Sequence, residues 1–101
     1  MKLKPTLSKS EITYAKELYT EHGFSLQYIG KELNTRPTTV SRYLLANGVE
    51  VYEIHPECVA NRQAILDVFN HIGQYFEDLE DYNYGYILSL FQELKENAKL
   101  S

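Results

Sequence analysis

The chain has 101 residues and is 44% apolar, enough for one compact domain or a small head with an accessory element, and too apolar for wholesale disorder. No apolar run approaches the ~20 residues of a membrane span, and the opening MKLKPTLSKS has no signal-peptide core. The net charge of -4 is uneven: residues 1–54 carry seven Lys or Arg against six Glu, and residues 55–101 carry three against eight acids, so any nucleic-acid contact must rest on a local basic patch rather than the whole-chain field.

Residues 1–7, with Lys2, Lys4 and Pro5, read as a short N-terminal arm. Such an arm can follow a phosphate backbone or enter a minor groove. It can equally fray as a solvated terminus. Ser8-Lys9-Ser10-Glu11 matches a capping box and predicts a helix start. Ile12, Ala15, Leu18 and Tyr19 follow at helical spacing as one apolar stripe. His22-Gly23 predicts the stop, with glycine as the left-handed cap, and Phe24 is placed to plug the core.

Ser25 predicts the N-cap of a second helix, running to about Leu33. Ile29 and Leu33 share its inner face, and Gly30 allows another helix to approach closely. Asn34 breaks the period and tolerates the left-handed conformation of a sharp turn. Arg36-Pro37 restarts a helix, since proline suits a first turn. Val40, Tyr43 and Leu44 give the third helix its apolar face, and Asn47-Gly48 ends it. Residues 8–48 therefore predict a three-helix unit.

Residues 49–55 form a connector. VEVYEI alternates apolar and polar residues, which predicts a short extended segment, and His55-Pro56 marks a boundary. Residues 56–101 then carry two heptad seams. Cys58, Arg62, Ile65, Phe69, Ile72, Phe76 and Leu79 predict a long helix ending among Glu77, Asp78, Glu80 and Asp81. Tyr84, Ile87, Phe91, Leu94 and Ala98 predict a final helix. Two seamed helices with a short loop predict an antiparallel hairpin. One such hairpin buries little by itself, so Ile65, Phe69, Ile72, Phe76, Leu79, Ile87, Phe91 and Leu94 are expected to form a homodimer interface. The other reading is a satellite core closing on the three-helix unit. The expected fold is all-α: a three-helix head followed by a dimerising helical hairpin.

KELYTEHGFSLQYIGKELN and TRPTTVSRYLLANG resemble the helix-turn-helix domains of serine recombinases of the resolvase and invertase type, and those of many small phage and plasmid regulators. The resemblance covers residues 10–48. Gly30 matches the small residue of the first motif helix, and Ile29, Leu33, Val40 and Tyr43 match packing positions. Asn34 stands where glycine is usual, and Thr35 where an aliphatic residue is usual. No recombinase catalytic domain accompanies these residues. The resemblance implies that the third helix enters the major groove of double-stranded DNA. Thr38, Ser41 and Arg42 would then face base edges, with Arg42 placed for a bidentate guanine contact. Gln27, Tyr28, Lys31, Arg36 and Thr39 would hold phosphates.

Catalysis is not expected. His22, His55 and His71 fall in separate elements without metal-ligand spacing, and no glycine-rich phosphate loop occurs. Cys58 lies on the seam as a small hydrophobe and, as the lone cysteine, fits a reducing cytoplasm. No metal, cofactor or membrane partner is therefore expected. The acidic cluster from Glu77 to Asp81, interleaved with Tyr75, Tyr82, Tyr84 and Tyr86, reads as a solvated helix end or as a surface for a basic protein. The leading expectation is a dimeric, sequence-specific DNA-binding protein, a transcriptional regulator of a phage or other mobile element. One rival is a phage-type inhibitor whose acidic hairpin binds a basic partner such as a nuclease. Another is the DNA-recognition subunit of a packaging or recombination assembly.

Overall fold

The computed structural model describes residues 3–71 and 79–100, the last three by backbone alone. Five α-helices occupy the described residues: α1 (Lys9–Thr20), α2 (Leu26–Leu33), α3 (Pro37–Ala46), α4 (Pro56–His71) and α5 (Tyr84–Leu100). Tyr52–Ile54 and Leu79–Asp81 are single 3-10 turns. The described residues contain no strand, and their β-type pairing is one isolated bridge between Lys4 and Thr35. No helix among them is long and apolar enough to cross a membrane. The chain divides into two compact units, residues 1–51 and 52–101.

Local chemistry sets the helix ends of the first unit. The Ser8 hydroxyl accepts from the Glu11 amide while the Glu11 carboxylate accepts from the Ser8 amide, which starts α1. After α1, Gly23 is left-handed at φ 72°, and the Phe24 amide reaches back to the Leu18 carbonyl at 3.0 Å. Ser25 caps α2 by accepting from the Tyr28 amide at 3.2 Å. Asn34 ends α2 with φ 55° and ψ 50°. Pro37 opens α3, and left-handed Gly48 lets the Val49 amide return to the Leu44 carbonyl.

Ala15, Ile29, Val40 and Leu44 are fully enclosed at the centre of this unit. Burying each aliphatic side chain of valine size or larger contributes about 1.5–3 kcal/mol. Leu7 from the arm and Val51 from beyond α3 join the same core. Val51 explains the alternation in residues 49–54. Val49 and Val51 close the first core and Tyr52–Ile54 forms a 3-10 turn, so the expected extended segment does not run on to Ile54. The apolar residues cover helices instead of pairing with a strand.

The second unit has its own core of Ile65, Leu66, Phe69 and Ile87, with Leu79, Phe91 and Leu94 packed against it. Two expectations are corrected here. Leu79, Glu80 and Asp81, expected at the end of the long helix, form a 3-10 turn, and residues 72–78 lie outside the described residues. Arg62 donates from Nη2 to the Glu80 carbonyl at 2.6 Å, and from Nη2 and Nε to the Tyr82 carbonyl at 2.9 and 3.2 Å. The hairpin is also not antiparallel. Glu53, just before α4, accepts from the Tyr84 amide at the start of α5, and Tyr52 meets Tyr84 edge-on. Phe69, late in α4, meets Phe91, further along α5, at 6.3 Å between centroids. Contacts thus advance in the same sense along both helices. Asn83 supplies the α5 N-cap, accepting from the Tyr86 amide at 3.0 Å.

The same packing changes the dimer expectation. Ile65, Phe69 and Ile87 are 7%, 1% and 0% exposed inside the chain's own core, so they offer no surface to a second copy. Leu79, Phe91 and Leu94 are half-buried against that core. Ile72, Tyr75, Phe76, Glu77 and Asp78 lie outside the described residues, while Glu80 and Asp81 belong to the second 3-10 turn.

Candidate nucleic-acid interface

The site is built on the joint between α2 and α3. An added Cβ at Gly30 would lie 2.8 Å from the Thr35 carbonyl oxygen and 3.4 Å from the Pro37 nitrogen. Only glycine lets the α2 backbone rest directly on the turn. The Thr35 amide closes that contact by donating to the Gly30 carbonyl at 2.8 Å. Left-handed Asn34 reverses the chain, and Pro37 starts α3 where no amide hydrogen is needed.

Val40 and Leu44 fix the inner face of α3, leaving Thr38, Arg42 and Leu45 exposed on the other side. Arg36 is exposed at the helix entrance, and Gln27 and Lys31 are exposed one turn apart on α2. Gln27, Gly30, Lys31, Asn34, Thr35 and Pro37, with Leu3 from the arm, line an open cleft of about 540 Å³. Lys31, Arg36 and Arg42 thus give the α2–α3 joint three exposed cations.

The other residues of the expected set stand differently. Ser41 is only 7% exposed, so it cannot meet base edges. It follows Val40 on the inward side of α3, one turn before Leu44. Thr39 and Tyr28 are half-buried, and the Tyr28 ring stacks on Phe24 at 4.1 Å between centroids. Arg42 is exposed, but its Nη2 donates to the Pro5 carbonyl at 3.2 Å, and its guanidinium lies 5.5 Å from the Tyr43 ring centre.

The arm is the element that sequence reading left unplaced. It folds onto the α2–α3 turn. The Lys4 amide donates to the Asn34 carbonyl at 2.9 Å, and the Thr35 hydroxyl donates to the Lys4 carbonyl at 2.6 Å. The Lys4 ammonium pairs with the Glu11 carboxylate. That hydrogen bond, followed by the one from the Ser8 amide, holds the Glu11 carboxyl below its ordinary value of 4.5. Lys4 is therefore matched by a carboxylate rather than offered to phosphate. The signal for this was Thr35 itself, a polar residue at a position where the resemblance expects an aliphatic one.

A second grouping also appears. Ligand atoms of Glu17, Glu21 and His22 at the end of α1 lie within 4.8 Å of one another, all on exposed side chains. Spacing alone had kept His22 apart from any such set. Water competes at each of these exposed groups, so no metal centre is assigned to them.

No protein-family model, curated protein or solved structure matches this chain.

Proposed function

We propose that this protein binds double-stranded DNA sequence-specifically through its first unit and serves as a transcriptional regulator of a phage or other mobile element. In this reading α2, the Asn34 turn and α3 act as a helix-turn-helix. The observation that carries it is the Gly30–Thr35 backbone contact, which fixes α3 while leaving Thr38 and Arg42 outward beside Lys31 and Arg36. A major groove about 12 Å wide accepts an α-helix. Thr38 and Arg42 then face base edges. Gln27, Lys31 and Arg36 lie toward phosphates.

Residues 1–51 carry seven basic and five acidic side chains, a modest positive surplus that supports weak contact with a polyanion. The testing measurement is affinity against salt on random and selected duplexes. Affinity should fall as salt rises, because each phosphate contact releases counterions. A flat response, or no binding at low salt, removes the reading. Within it, Arg42→Ala should cost about 1–3 kcal/mol at one base pair and relax preference there, while Lys31→Ala and Arg36→Ala should weaken all duplexes alike.

A further inference from the structure

Thr35 is a polar side chain only 4% exposed in the middle of the α2–α3 turn. Its hydroxyl holds the Lys4 carbonyl, and the Lys4 amide holds the Asn34 carbonyl in return. The next carbonyl along the arm, that of Pro5, accepts from Arg42 Nη2. Burial of Leu7 and the Lys4–Glu11 pair hold the same arm from its other side. A continuous path thus runs from the turn, through the arm backbone, to the guanidinium on the outer face of α3.

We propose that Thr35 is a positioning residue for Arg42: it fixes the arm so that the Pro5 carbonyl orders the guanidinium before DNA arrives. This rests on the reading of α3 as the DNA-contacting helix. The chemistry allows both contacts at once. A guanidinium has five N–H donors, and Pro5 takes one hydrogen of Nη2, leaving the others for guanine O6 and N7. An arginine ordered in advance loses less rotamer freedom on binding, which favours the correct base pair by about two- to ten-fold. The Tyr43 ring adds a second support from α3 itself, so the effect of Thr35 is partial.

The test compares Thr35→Val, which keeps the shape but loses the donor, with Thr35→Ser, which keeps the hydroxyl. Pro5→Gly is a third variant; it loosens the arm at an exposed position and leaves the core intact. In the free protein, NMR relaxation of the Arg42 Nε–H should show an ordered side chain in the wild type and T35S, and a looser one in T35V and P5G. On DNA, discrimination between the selected duplex and one with the Arg42-contacted base pair exchanged should fall about two- to ten-fold in T35V and recover in T35S. The salt dependence should not change, since Lys31 and Arg36 are untouched. A purely structural role would weaken both duplexes equally. Arg42 order that is the same in T35V and P5G as in the wild type overturns the proposal. So does unchanged discrimination in T35V when R42A abolishes it. If no duplex binds the wild type, the DNA reading falls, and the Arg42 relaxation data separately decide whether the arm holds the guanidinium.

Discussion

A methyl group at position 30 would press into backbone rather than into a side chain that could turn away. The nearest atom is the Thr35 carbonyl oxygen at 2.8 Å, itself bonded into the turn. Gly30→Ala should therefore destabilise the first unit by about 1–3 kcal/mol, the usual range for overpacking. Chemical denaturation checks this through a lower midpoint. Gly48 provides the contrast. Nothing lies within 4 Å of its added Cβ, but its φ is +78°. Gly48→Ala should cost about 1 kcal/mol through backbone strain alone. Equal losses at the two positions would show that the α2–turn contact is looser than 2.8 Å implies. Ser41 adds a further point at this scale. A step of 100° per residue keeps Ser41 beside Val40 and Leu44, so its inward position was legible from the same periodicity that buried those two residues.

At the scale of elements, legibility followed the range of the interaction. The Ser8–Glu11 box, the Ser25 cap, left-handed Asn34 and Pro37 were all readable because each acts within a few residues. The candidate interface shared this: Gln27, Lys31, Arg36, Thr38 and Arg42 are exposed where helical spacing puts them. The direction of α5 was not readable. A heptad seam looks the same whether its partner runs parallel or antiparallel, and the deciding bonds join Arg62 to Tyr82 and Glu53 to Tyr84. Arg62→Met should accordingly destabilise the second unit by about 1–3 kcal/mol, because its bonds to two carbonyls are charge-assisted. Arm docking was unreadable for a similar reason, since Thr35 and Lys4 are far apart in sequence. Its electrostatic part is testable by pH. The Glu11 carboxyl titrates below 4.5 in the folded chain, so the stabilisation is complete above 4.5 and fades as pH falls through the lower folded value. Carbon-detected NMR titration of Glu11 should show this depressed value. Lys4→Met should return it part of the way, because the Ser8 amide still donates.

At the scale of the whole molecule, charge and burial bear on how many heads the proposed DNA contact would use. Residues 52–101 carry nine acidic and three basic side chains, so the second unit opposes approach to DNA while the first favours it. Pairing two chains would offset that opposition, but among the described seam residues the most apolar positions supply no surface for it. Ile65, Phe69 and Ile87 are already enclosed. The exposed valines of α4, Val59 and Val68, are nine residues apart and therefore half a turn out of phase, so they do not make one patch. Light scattering should accordingly give the mass of a single chain, 11.8 kDa, for the free protein at micromolar concentration. The salt dependence then counts heads on DNA. One head using Lys31 and Arg36 neutralises about two phosphates, which predicts a slope of log affinity against log salt of about -2. Two heads on half-sites about 34 Å apart would double the slope, and the footprint would become two-fold symmetric. A slope near -2 with a single-chain mass supports one head per site. A doubled slope from a single-chain protein means that two chains meet only on the DNA, and a two-chain mass without DNA places a pairing surface outside the enclosed seam residues.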